Sequence, residues 1–523
     1  MTTFRYDLTT EPWIPCLGLQ GRRVYRGLLD VLLGAHTLRE VDGGTPLVTA
    51  ALYRLLLAVL HRVYGPPDLA TWASLWREGR WQPEPLQAYL DAWRERFDLF
   101  HPERPFYQVA DQRAIAKQLA SFQPHVASGN NPTLFDHQRD EAATLYAPDA
   151  AARILVASQA YGIGGLSGIP RVSFTDGPCT QGILFLLEGD NLFETLALNL
   201  ILYPREMSGM QAHPDDRPAW EMDAPTEPPR EVPLGYLDYL TWHNRHILLC
   251  PETLDGHVVV KECLAAPALR LADAVKDPLM LWQASRSGGE RPLAFRPERA
   301  LWRDSSALLG SREASSSEAL VALEQLRTVG QHLDRGQTLP PEARMAAFGL
   351  LKSRAKVELT RTERLPVPRA YLDDPDLVGD LSLALSLAED VAERLRWATR
   401  TLASYLITPA LPPDQDRKTA DRQRSNDLSN LQNHWASDRS YWSALEVPFL
   451  NTLRAIPEDP DAALEAWVDL LRRQARASLR LVTQSLAHDP AALKAIVHAE
   501  RRLNAGLARA LDRKEESPTT TVS

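Results

Sequence analysis

The chain has 523 residues, 44% hydrophobic and 24% charged, with a formal net charge of −9. That length accommodates two or three domains with a large core, and that composition excludes collagen-like, low-complexity and disordered classes. The acidic balance excludes a protein that grips nucleic acid over its whole surface, but it leaves room for local basic patches.

No apolar run is expected to reach membrane-spanning length, and no signal peptide is expected in the first residues. The cysteines, Cys16, Cys179, Cys250 and Cys263, show no C-x-x-C spacing. A reduced, cytoplasmic protein with no membrane partner is the expectation.

Residues 4–8 read as a strand, followed by an extended turn in which Pro12 and Pro15 flank Trp13-Ile14 and forbid a helix. Residues 46–62 carry Leu47, Ala51, Leu55 and Val59 at four-residue steps, with Leu52 and Leu56 beside them. This pattern predicts a buried helix. Trp72, Trp76, Trp81 and Trp93 mark a helical, aromatic-rich core stretch. Residues 128–140 form a polar loop with Leu134-Phe135 in its middle.

Residues 157–171, ASQAYGIGGLSGIPR, place Gly162, Gly164, Gly165 and Gly168 in an apolar region. Such a cluster calls for positive φ or for close approach of another backbone or a ligand. Ile154-Leu155-Val156 before it suits a strand or a helix end, and residues 171–174 alternate as a strand would. Three readings stay open: a structural turn, a dinucleotide fingerprint, or a loop that approaches a nucleic-acid groove. The fingerprint needs a helix straight after the glycines, whereas Pro170 and a strand-like run follow here.

Strands and loops dominate residues 171–277, with one helix over 192–202. His246, Cys250, His257 and Cys263 invite a zinc reading, but their spacings fit no closed site. Residues 278–295 look like a hairpin, with arms at 279–282 and 292–295 and the tip Ser285-Arg286-Ser287-Gly288-Gly289. Residues 343–369 hold Lys352, Arg354, Lys356, Arg361, Arg364 and Arg369, the densest basic run, for which the plain reading is a solvated helix face. Pro366, Pro368 and Asp373-Asp374-Pro375 then read as a linker.

Beyond the linker, Leu377, Leu381, Ala384, Ala388, Val391, Leu395, Ala398 and Leu402 repeat in steps of four and three, the mark of a long bundle helix. Three further helical stretches follow: 417–445 with 447–453, bent or broken near Pro448, then 462–486, then 491–511. Asp459-Pro460 and Asp489-Pro490 supply a cap followed by a first helical residue. The fold class is therefore α+β: a mixed α/β N-terminal domain over 1–370, a four-helix bundle over 376–513, and a polar tail, 514–523, read as disordered.

No Walker loop, H-E-x-x-H or G-x-S-x-G is present. The acidic pairs Asp215-Asp216, Asp373-Asp374 and Glu389-Asp390 read as solvated. A non-enzymatic protein is the expectation, without cofactor or metal.

Glu11-Pro12-Trp13-Ile14-Pro15, Pro46-Leu47 leading into Arg54-Leu55-Leu56-Leu57-Ala58, the loop from Gly162 to Gly168, and Arg217-Pro218-Ala219-Trp220 followed by Gly235 resemble the CasA family, the large subunit of the type I-E CRISPR Cascade complex. The resemblance runs over nearly the whole chain. It implies a subunit that recognises the protospacer-adjacent motif of double-stranded DNA from the minor groove, starts strand separation and recruits a helicase–nuclease. The family's glycine loop corresponds to Gly162, Ile163, Gly164 and Gly165. Its lysine finger corresponds to the hairpin tip, where this chain offers Arg286. Its glutamine wedge corresponds to Lys352, Ser353 and Arg354, with no glutamine present. The loop that docks on the guide-RNA (crRNA) 5′ handle and neighbouring Cascade subunits corresponds to Asn130, Asn131, Thr133, Leu134 and Phe135. The cysteine-paired zinc site of some members has no counterpart. Two other functions stay open: an oxidoreductase using residues 162–168 for a nucleotide cofactor, and a purely structural helical adaptor.

Overall fold

The computed structural model describes residues 4–123, 144–203, 209–210, 213–285, 288–310, 317–318, 320–332, 342–353, 356–411, 415–486 and 489–511. The chain divides into two compact units: residues 1–301 with 311–369, and residues 302–310 with 370–523.

The first unit is organised around the helix Pro46–Tyr64. Thr45 caps it by accepting the Val48 amide at 3.4 Å, and Pro46 sits where a helix needs no donor. Every residue from Leu47 to His61 is buried, so the helix is enclosed on all sides. It is the one described helix long and apolar enough to cross a membrane, against the expectation of none, and 78% of that window is buried inside the protein. The tryptophans pack as a core: Trp72 stacks on Trp76 at 5.4 Å and Trp81 meets Phe193 at 4.8 Å.

Small antiparallel sheets make up much of the rest of this unit. One joins Arg23–Arg26, Ile14–Gly18 and Leu38–Val41. The expected strand over 4–8 is absent: Asp7 makes only an isolated bridge with Asp98, and the strand begins at Ile14. A second sheet orders Ile115–Gln118, His257–Pro267 and Arg245–Leu254, and a third orders Lys356–Pro368, Glu342–Ser353 and Leu184–Glu188. The basic run is therefore a long β-hairpin rather than a helix. Pro366 and Pro368 end an edge strand rather than forming a linker. They lie two residues apart, so their missing donors share one side of that strand, and an edge leaves one side unpaired.

The second unit is helical. Pro375–Ile407 buries the expected heptad residues except Leu377, which is half-buried. Ser437–Ala455, Pro460–Gln484 and Pro490–Leu511 pack with it. Asp459 and Asp489 cap as expected, accepting from Ala462 at 3.0 Å and Ala492 at 2.8 Å. Of the bend or break expected near Pro448, the break is not there. Pro448 lies inside Ser437–Ala455, and the chain instead turns at Arg424 and at Ala436, which is left-handed with φ 49°. Residues 302–310 belong to this unit: Trp302 lies 4.5 Å from Phe449, and Arg303 sits over Trp442 and reaches Glu389 at 2.6 Å.

Candidate nucleic-acid interface

The helix Pro148–Tyr161 leads directly into Gly162, so Ile154-Leu155-Val156 is helix interior rather than a strand or a helix end. After the glycines comes a two-stranded hairpin, Gly165–Leu166 with Ser173–Phe174. The order is helix, glycines, strand, the reverse of a dinucleotide-binding turn. Every described strand pair is antiparallel. Both facts count against the nucleotide-cofactor reading.

Arg245, at the start of the strand Arg245–Leu254, supports the loop from below. Gln159 holds its backbone from both sides, accepting the amide at 3.0 Å and donating to the carbonyl at 2.8 Å. The guanidinium donates to the carbonyls of Ile163 at 2.7 Å and Thr175 at 3.3 Å, contacts Asn244 Oδ1, and lies over the Phe174 ring. These oxygens belong to neutral groups. Burial pushes the Arg245 pKa down to about 10, partly opposed by the charge of Asp176. Ile163 is half-buried against the core, and Leu166 stands 88% exposed. Gly168 takes φ +86°, and a Cβ there would come within 2.6 Å of Ile115.

Gly164 donates its amide to Asp176 Oδ1 at 2.8 Å. The other carboxylate oxygen of Asp176 receives Lys352 from the long hairpin. The structure thus brings Gly164 and Lys352 to opposite oxygens of one carboxylate. Ser353 is exposed at the end of its strand, and Arg354 lies outside the described residues.

The other basic residues of this hairpin are largely engaged within the fold. Arg364 pairs with Glu188 at 3.0 Å and with Glu40; Arg361 reaches Glu363 at 3.1 Å and the Arg299 carbonyl at 3.2 Å. The shorter hairpin pairs Trp282–Ala284 with Glu290–Pro292, so both arms lie nearer the turn than the sequence suggests. Gly288 and Gly289 are both left-handed in its turn. Arg286 falls outside the described residues, as do Asn130, Asn131, Thr133, Leu134 and Phe135.

Both ring nitrogens of His246, considered above for zinc, are taken by Asp111 at 2.7 Å and Thr226 at 3.0 Å. This chain of contacts ties three segments together on the wall of a cleft of about 750 Å³. Of the acidic pairs, Asp215, Asp373 and Asp374 are exposed as expected, and Asp216 is not. Asp216 is buried and accepts from Tyr203, Leu237 and Asp238; Asp374 caps the helix Pro375–Ile407; Glu389 holds Arg303. A carboxylate just before a helix start finds an orphan amide to accept from, as Asp374 does while staying exposed. Sequence reasoning missed Asp176 and Arg245. Neither lies in a motif, and only their partners in space reveal them.

Fold and site define an α+β protein that presents a supported glycine loop beside the end of a long β-hairpin. Residues 7–478 match the family described as CRISPR-associated protein Cse1. The chain is 33% identical over 515 residues to CRISPR-associated protein CasA/Cse1 of Thermus thermophilus, covering 95% of this chain and 96% of that one. The crystal structure of Thermus thermophilus CasA superposes with a TM-score of 0.79 at 29% identity, covering 97% and 100% of the two chains. Cse1 of Acidimicrobium ferrooxidans also gives 0.79, at 26% identity, over 99% and 100%. The chain belongs to the CasA/Cse1 family of CRISPR-associated proteins.

Proposed function

We propose that this protein is the cytoplasmic, non-catalytic DNA-recognition subunit of an RNA-guided CRISPR surveillance complex. In this reading Gly162, Ile163, Gly164 and Gly165 approach the minor groove of the motif beside the target, with Arg286 reaching in from the shorter hairpin. Minor-groove edges discriminate poorly among bases, so a few backbone amides and one cation suit a reader that tolerates several motifs. Lys352, Ser353 and Arg354 then wedge the strands apart. Unstacking costs about 1.4 kcal/mol per step, and guide–target pairing returns most of it. The segment 130–135 docks on the guide-RNA 5′ handle and neighbouring subunits, and the assembled complex recruits a helicase–nuclease.

The observation that carries this reading is the meeting of Gly164 and Lys352 on Asp176. Two elements far apart in sequence, one suited to close backbone approach and one the end of a long hairpin, lie side by side. The test is Gly164→Ala in the assembled complex. A Cβ at this position would sit 3.2 Å from Asp176 Oδ1 and from the Phe174 carbonyl, so alanine is accommodated by a small shift where valine is not. Binding of motif-bearing duplex should fall about tenfold or more, the scale of one lost specific contact. Undiminished, motif-dependent binding would remove the loop from recognition.

A further inference from the structure

We infer that Asp176 is a positioning residue that sets the distance between motif reading and strand opening; the inference rests on the function proposed above. The long hairpin is supported unevenly. Its inner strand pairs with Leu184–Glu188 only over residues 344–348. From Gly349 to Ser353 it pairs only with the returning strand. This two-stranded ribbon runs roughly 17 Å past the third strand. Leu350 and Val357 still pack into the core of the unit, so it is the side chains at its very end, Lys352 and Ser353, whose aim depends on what holds that end.

Lys352, one residue before the end of the strand, reaches Asp176 across a side chain that is 31% exposed. Asp176 is itself well anchored. Its carbonyl accepts from Asn244, its other carboxylate oxygen takes the Gly164 amide, and the next residue, Gly177, donates to the Gly162 carbonyl at 2.7 Å. Displacement of the ribbon tip is thus resisted through the same carboxylate that orders the glycine loop. Asp176 carries a negative charge beside the path of a polyanion, so a direct role in holding phosphate is excluded on sign. What it can do is keep Lys352 and the exposed Ser353 at a fixed offset from Gly164.

The experiment uses the assembled complex with Asp176→Asn, Lys352→Met and the double variant. Asparagine keeps an acceptor for Gly164 and removes the ion pair. Strand opening is followed by 2-aminopurine in the first target positions of a closed duplex. Motif binding is measured separately on a duplex whose target does not match the guide. Opening by Asp176→Asn should slow about fivefold, the most that a partly exposed ion pair supports. Binding to the unmatched motif duplex and to a pre-opened target should stay unchanged. The double variant should lose no more than Lys352→Met alone. Unchanged opening, additive losses, or equal loss on closed and pre-opened targets would overturn the assignment. Absence of motif dependence in the parent complex would instead remove the function on which it rests.

Discussion

Arg245 occupies the space that a side chain at position 162 would need. A Cβ on Gly162 would lie 1.8 Å from Nη1 of Arg245 and 2.6 Å from the Ser158 carbonyl. The glycine is therefore demanded by packing, whatever else approaches the loop. Gly162→Ala should destabilise the first unit by about 1–3 kcal/mol, the range for overpacking a filled site. Denaturant unfolding followed by tryptophan fluorescence reads this directly, and an unchanged midpoint would count against the fit. The contrast with Gly164→Ala matters, because only Gly164 leaves its neighbours room to adjust.

A buried ion pair holds the core helix to the rest of its unit. Arg54 Nη1 lies 2.6 Å from Asp277 Oδ2, with both side chains at most 2% exposed. Tyr239 and the Leu279 amide also donate to Asp277, each at 2.8 Å. Arg54→Met leaves that carboxylate without its cation and should cost about 3–5 kcal/mol. Adding Asp277→Asn should recover part of the loss. If the two losses simply add, the pair is not a pair in energetic terms.

The parts of the fold set by periodicity were legible in the sequence. The stripe through Leu47, Ala51, Leu55 and Val59 and the heptad from Leu381 to Leu402 could only be buried helices. The residues that set the site were not. Arg245 sits in a strand whose pattern announces burial of its neighbours, and nothing local says that a cation can be buried there. Its carbonyl partners come from Ile163 and Thr175, some seventy to eighty residues earlier. Asp176 follows a strand-like run and reads as an ordinary turn residue until Lys352 is placed beside it. The basic run misled as a helix because charge counts carry no period. Burial does not alternate along it either: Met345 to Leu350 and Leu365 to Pro368 are continuous buried runs, and the hairpin shows only in the pairing of the two strands.

Two histidines should make the first unit acid-sensitive. His61 and His243 are almost fully buried, and burial lowers their pKa values to about 4 and about 3. The unfolded chain takes up protons at these sites near pH 6.5, while the fold refuses them until lower pH. Their contribution is therefore complete above pH 6.5 and is lost as pH falls toward 4 and 3. For His61 alone this amounts to at most about 3 kcal/mol. Unfolding free energies measured between pH 7 and pH 4 should show the decline, and His61→Leu should flatten part of it. An equally steep decline in the variant would assign the acid sensitivity elsewhere.

The long hairpin provides the sharpest test of strand opening. Ser353 is exposed at the end of its strand, one residue past the Lys352 that Asp176 holds. Arg354→Ala combined with Ser353→Gly removes the tip chemistry and leaves that anchor in place. If the tip enters the duplex beside the motif, binding to a fully paired target should fall. Binding to a target already unpaired in its first positions should be largely restored, because the unstacking cost has been met in advance. A plain phosphate contact behaves differently: its loss weakens both substrates alike and lowers the salt slope by about one. Affinities for closed and pre-opened duplex, each at several salt concentrations, separate the two. Equal losses with a reduced slope would make Arg354 an ordinary backbone contact and leave the opening step to another element.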